Sequence, residues 1–213
     1  KRTALINHVV TKGLNPKAKM KDSGVEWIGE VPKGWDVGWL KNKILIKYGS
    51  SLSEYDRIDG DIDVYGSNGI VGNHIKPITK DITIIIGRKG SYGKINLSLK
   101  SCFPIDTAYF IDKSCTRLNL RYLFYVLSQL RLDEDSQDSA VPGLSREVAY
   151  DKIIPYITFD EQIVISSYLD KATSKIDQTI QKIEEKIELL EEFKKSLIHH
   201  IVTGKVDVRG AVA

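Results

Sequence analysis

The chain has 213 residues, 42% hydrophobic and 28% charged, and its 31 Lys and Arg against 28 Asp and Glu leave a formal net charge of +3. These proportions suit a soluble globular protein and exclude a collagen-like, disulfide-stapled or wholly disordered chain. No apolar stretch approaches the roughly 20 residues that cross a bilayer, and the basic, amphipathic first residues lack a signal-peptide core, so a cytoplasmic protein is expected.

In chain order, residues 1–16 read as a helical arm. Lys at position 1 fits a processed chain or a fragment. Trp27, Trp35 and Trp39 follow closely and read as anchors for that arm. Lys41 to Tyr48 reads as a strand, Gly60 to Gly72 as a Gly-rich turn region around Val64-Tyr65 and Ile70-Val71, and Asp81 to Ile86 as a buried strand. Asp106 to Ile111 reads as another strand. Asn119 is placed to cap a helix whose apolar face is Leu120, Leu123, Phe124, Leu127 and Leu130. Asp133, Glu134, Asp135 and Asp138 mark an exposed loop, Ser145 opens a short helical turn, and Lys152 to Ile157 leads onward. Short strands with a single inserted helix point to an α+β domain over residues 17–158.

The last third is a long coiled-coil helix, spanning residues 159–213 with its tail. Thr158-Phe159-Asp160-Glu161 has capping-box form: the Thr158 hydroxyl accepts from the Glu161 N–H and the Glu161 carboxylate reaches back. Apolar residues then recur at Leu169, Ile176, Ile180, Ile183, Ile187, Leu190, Leu197 and Ile201, with Thr173 and Lys194 filling the gaps. Steps alternating between four and three are the 3.5-residue repeat of a coiled coil. No Gly or Pro interrupts Phe159 to Val202, and Gly204 is a natural stop. The seam from Ile176 to Ile201 needs a second helix along it or its own globular body.

Two further patterns stand out. From Lys76 to Arg131 there are ten basic and three acidic residues, a net of +7, whereas Asp160 to Glu192 carries a net of −5. Such asymmetry suits a polyanion partner for the basic part, or a solvated basic face. The chain ends also match: Leu5-Ile6-Asn7-His8-Val9-Val10-Thr11 and Leu197-Ile198-His199-His200-Ile201-Val202-Thr203 share five of seven positions. A repeat unit cut near its boundary would leave this pattern.

Candidate chemistry is sparse. Gly87-Arg88-Lys89-Gly90-Ser91-Tyr92-Gly93-Lys94 superficially resembles a phosphate loop, but five residues separate Gly87 from Gly93 and Ile95 follows Lys94, so the magnesium-binding hydroxyl is missing. The loop is either a basic hairpin or a DNA contact in which Arg88, Lys89 and Lys94 reach phosphates or base edges and Tyr92 stacks or packs. Tyr65-Gly66-Ser67-Asn68-Gly69 is a tight turn, and Ser67 and Asn68 join such a contact only if they lie beside Arg88. His8, His74, His199 and His200 have no metal-ligand spacing. Cys102 and Cys115 have none either, and read as small buried hydrophobes in a reducing compartment. Glu184-Glu185-Lys186 reads as a solvated helix face and not a nuclease site. Ile154-Pro155-Tyr156 lacks the Asn/Asp-Pro-Pro-aromatic run of amino-methyltransferases, and no nucleophile–base–orienter set is visible.

Four strings nevertheless resemble one family. Met20-Lys21-Asp22-Ser23-Gly24-Val25-Glu26-Trp27-Ile28-Gly29-Glu30-Val31-Pro32-Lys33-Gly34-Trp35 resembles the entry to a target-recognition domain of the DNA-specificity (S) subunit of type I restriction–modification systems. Val141-Pro142-Gly143-Leu144-Ser145-Arg146 resembles the segment before that domain's last strand, Phe159-Asp160-Glu161-Gln162-Ile163 the start of its long helix, and Leu197 to Lys205 that helix's end. The resemblance implies a non-catalytic subunit without cofactor or metal, which reads half of a bipartite target and positions methyltransferase (M) and restriction (R) subunits. Family members usually carry two recognition domains and two paired long helices, whereas this chain has one of each. It therefore resembles a half-subunit or a piece of a longer one, with residues 1–16 as the tail of a preceding conserved region. The expected DNA contacts are Arg88, Lys89 and Lys94, then Ser67, Asn68, Ser91, Tyr92 and Arg146. The expected homodimer seam is Ile176, Ile180, Ile183, Ile187, Leu190, Leu197 and Ile201. A coiled-coil assembly module with a protein-binding globular head is the alternative.

Overall fold

A computed structural model of the protein describes residues 1–134, 143–203 and 205. Asp135, Asp138, Val141, Pro142 and Gly204, which figure in the loop, string and stop above, lie outside the described residues. The chain divides into two compact units, Lys1–Leu169 and the residues from Asp170 on.

The first unit is a mixed α+β body. It opens with α1 (Arg2–Lys12), which buries Ile6, Val9, Val10 and Thr11 and ends at Gly13, where a φ of +73° favours glycine. Two short antiparallel pairs flank the main sheets: β1 (Met20–Asp22) with β2 (Glu30–Pro32), and β3 (Asp36–Trp39) with β11 (Ile153–Tyr156). The main sheet is antiparallel and consists of β4 (Lys47–Tyr48), β10 (Ala108–Ile111), β7 (Thr83–Gly87) and β8 (Ile95–Ser98), in that order. The other sheet has β5 (Ile62–Gly66) in its middle, antiparallel to β6 (Gly69–His74) and parallel to β9 (Phe103–Pro104).

β7 explains the Ile-Ile-Ile run in the sequence. Ile84 and Ile86 enter the large core with Tyr109 and Ile111, and Ile85 points the other way to join Tyr65, Cys102 and Ala108. A strand buried on both faces reads as a continuous apolar run, not an alternation. α2 (Leu120–Leu127) closes the large core. The Asn119 Oδ1 accepts from the Tyr122 N–H at 3.0 Å, as the sequence predicts, and α1 packs on α2 and β2. Cys102 and Cys115 are buried free thiols, and burial pushes the pKa of each up.

The predicted strand over Lys41–Tyr48 is mostly something else. Leu40–Asn42 is a turn of 3-10 helix, and Ile44 forms only an isolated bridge to Thr116. The Ile46 N–H donates to the Tyr150 hydroxyl at 2.8 Å instead of a strand neighbour. Only its last two residues, Lys47 and Tyr48, enter the sheet.

α3 (Arg146–Tyr150) is capped by Ser145, whose Oγ accepts from the Val148 N–H. α4 runs unbroken over Phe159–Val202, 44 residues, or about 66 Å at 1.5 Å per residue. Half of the predicted capping box forms: the Thr158 Oγ1 accepts from the Glu161 N–H at 3.3 Å. The Glu161 carboxylate does not reach back but accepts from the Trp35 indole N–H, 3.1 Å from either oxygen. Buried Gln162 accepts from the Asn119 N–H at 2.8 Å and donates to the Ile157 carbonyl at 3.0 Å. The string Phe159 to Ile163 thus ties the root of α4 into the first unit. Trp27 donates to the Ile153 carbonyl of β11 and not to the arm, and Trp39 is 43% exposed.

Candidate nucleic-acid interface

Two hairpin ends come together where the sequence placed its loops. β5 and β6 turn at Ser67-Asn68, and β7 and β8 are joined by residues 88–94. The Lys94 ammonium donates to the Asn68 Oδ1. A Cβ on Gly87 would stand 2.0 Å from the Ser91 carbonyl oxygen and 2.8 Å from that of Ser67, so only glycine allows this approach. At Gly93, φ is +73° and a Cβ would meet the Asp133 nitrogen at 2.2 Å. Ser67 and Asn68 therefore lie against the Gly87, Gly90 and Lys94 part of the basic loop. Lys89, Ser91 and Lys94 are exposed; Tyr92 is half-buried and packs on the large core.

Arg88 and Arg146 meet at a second feature, through residues far apart in the chain. The Arg88 N–H and the Lys89 N–H both point to the Thr107 carbonyl oxygen, and the Leu144 N–H donates to the Arg88 carbonyl at 2.9 Å. Lys89 and Gly143 form an isolated antiparallel bridge. These bonds bring the segment before α3 alongside the basic loop. The guanidinium carbons of Arg88 and Arg146 lie 4.9 and 4.5 Å from the centre of the Tyr48 ring. Tyr48 sits edge-on to Tyr109 at 5.1 Å, and the Tyr109 hydroxyl donates to the Leu144 carbonyl at 3.0 Å. Burial pushes the Tyr109 pKa up, so the phenol stays a neutral donor. Together these residues line an open depression of about 350 Å³, with Glu147 on its margin.

Neither Tyr48 nor Tyr109 carries a distinguishing local signal, because a tyrosine at the end of or within an expected strand is too common to be informative. A second basic surface also went unremarked. Lys41, Lys43, Lys113 and Arg117 border an open hollow formed by residues 41–45 and 113–118. Its trace in the sequence is the pair of alternate lysines at 41 and 43. Among the described residues, no group of three or more His, Cys, Asp or Glu is placed to hold a metal. No helix among them is long and apolar enough to cross a membrane.

The seam residues lie on the second unit. Ile180, Ile183, Ile187, Leu190 and Leu197 are exposed, and Ile176 and Ile201 are half-exposed. Phe193 and Ile198, which flank the seam, are exposed as well and broaden the stripe, and Leu189, farther round the helix, is also exposed.

No protein-family model and no curated protein matches the chain. Solved structures do. The S subunit of a type I restriction–modification system from M. genitalium matches with a TM-score of 0.60 and 22% identity, over 72% of this chain and 42% of that one. A chain from a structure of the type I system solved for its complex assembly and conformational transition matches with a TM-score of 0.69 and 15% identity, over 93% and 50%. The HsdS subunit from Thermoanaerobacter tengcongensis matches with a TM-score of 0.56 and 17% identity, over 83% and 43%. The fold is that of type I specificity subunits, and the chain spans about half the length of the chains it matches.

Proposed function

We propose that the protein is a sequence-specific DNA-binding specificity subunit of a type I restriction–modification complex. The first unit reads one half of a bipartite target. The chain has no catalysis of its own and uses no cofactor; it docks M and R subunits in the cytoplasm. Two copies pair through the exposed stripe of α4, and a two-fold pair favours a target with inverted half-sites. The observation that carries this reading is the S-subunit fold joined to a basic rim, in which Ser67, Asn68, Arg88, Lys89, Ser91, Lys94 and Arg146 gather on neighbouring loops. Tyr92 supports the rim by packing beneath it. Loops on a rigid scaffold are where base and phosphate contacts are normally made.

The test is selection of bound duplexes from a random pool at physiological salt. The expected result is a split motif with inverted halves, bound on the order of 10³-fold or more above scrambled duplex. Equal, weak binding to every duplex would favour the protein-assembly alternative, and cleavage or methylation by the purified chain would overturn the non-catalytic reading.

A further inference from the structure

We propose that Arg88 and Arg146, held together by Tyr48, form a seat for one phosphodiester of the DNA backbone. The pair then fixes how tightly and in what register the protein lies on a duplex, not which bases it selects. This rests on the DNA-binding reading above and gives the depression beside Tyr48 its chemistry.

The cluster is electrostatically unfinished. Two guanidinium groups share one tyrosine ring, and no ion pair joins either to a carboxylate among the described residues. Arg88 donates one N–H to the Asp106 carbonyl at 3.0 Å. The Arg146 Nε is buried and has no hydrogen-bond partner, a state that normally marks a missing acceptor. Lys89 adds a third cation to the lining, against the single carboxylate of Glu147. Tyr48 is itself 46% exposed, so its ring offsets little of the repulsion between two cations.

The missing group must carry net negative charge and present more than one acceptor. A phosphodiester has two non-bridging oxygens, one for each guanidinium, and its negative charge relieves the repulsion between them. A guanine edge is neutral and occupies a single arginine fork, which would leave the other arginine as it is now. The open depression suits the flank of a duplex backbone.

The experiment uses the full chain, a duplex recovered from a random pool and a scrambled duplex, over a salt series. Arg88→Gln and Arg146→Gln are each expected to weaken binding to both duplexes alike, by about tenfold. Each is also expected to lower the log–log salt slope by about one. The double variant lowers the slope by no more than about one, because both side chains hold the same phosphate. Tyr48→Ala reproduces the single-arginine effect and Tyr48→Phe, which keeps the ring, restores binding. A variant that loses discrimination while keeping its affinity for scrambled duplex would make this a base contact and overturn the seat; so would unchanged binding to both duplexes. A second readout is independent of DNA: the Arg146 Nε–H resonance is expected to shift on titration with inorganic phosphate, and not to do so in Arg88→Gln. A shift in a protein that binds no duplex would retain the seat and reject the DNA reading. Neither a shift nor an effect of the variants on duplex binding would reject the seat.

Discussion

Asp112 shows how one side chain fixes a segment that the sequence leaves blank. It is 2% exposed, yet its Oδ2 accepts from the Lys80 N–H at 3.0 Å and its Oδ1 from the Ser114 N–H at 2.9 Å, the Ser114 hydroxyl and the Cys115 thiol. Burial favours the neutral acid, but the bonds from Ser114 and Lys80 outweigh it and hold the pKa below the usual carboxylate range. Because folding lowers the pKa, the fold prefers the ionised form. The resulting stability is intact at neutral pH and fades as the pH falls below about 4, through the ordinary Asp range and then the folded pKa. Asp112→Asn turns one acceptor into a donor facing an N–H and is expected to cost about 1–3 kcal/mol at pH 7 in urea unfolding. The variant should also lose part of the wild-type decline in stability between pH 5 and pH 3; a parallel decline in both proteins would remove Asp112 as its source.

At the level of elements, α4 carries the clearest mechanical expectation. Its stripe of Ile180, Ile183, Ile187 and Leu190 is between 45% and 66% exposed, too much aliphatic surface to leave in water along a single helix. Ile183→Lys with Ile187→Lys removes roughly 1.5–3 kcal/mol of burial per isoleucine and places unpaired charge in the seam. Sedimentation should then show monomer, while melting of the first unit stays as in the parent; a variant that remained dimeric would refute the seam. This helix was legible because its period repeats over many turns and no Gly or Pro breaks it. α2 and β7 were legible for equally local reasons, a capping Asn119 and three consecutive isoleucines. β1, β2 and β3 were not: each has three or four residues and pairs with a partner that no local pattern names. The parallel pairing of β5 with β9 is likewise set by packing across the chain. The same limit applied to the candidate site. The loop glycines and cations could be read, but Tyr48, Tyr109 and Arg146 meet only through contacts across many tens of residues.

For the whole molecule, the two units differ in what stabilises them. Residues 1–169 build a large buried apolar core of their own, whereas most large apolar residues among the described ones beyond Asp170 are exposed. Hydrogen exchange should therefore depend on concentration in one unit only. Amides of the sheets and α2 are expected to be protected at every protein concentration, and those of residues 178–202 only when copies associate. Concentration-independent protection throughout would show that α4 needs no companion. The chain's opening helix has a practical consequence of another kind. Ile6, Val9 and Val10 are 6%, 2% and 0% exposed, so this stretch works as a plug, not as a trailing end. A version trimmed to begin at Leu14 would leave the sides of α2 and β2 that α1 covers bare to water and prone to clumping. Anyone shortening the protein for expression or labelling should leave its first dozen residues in place.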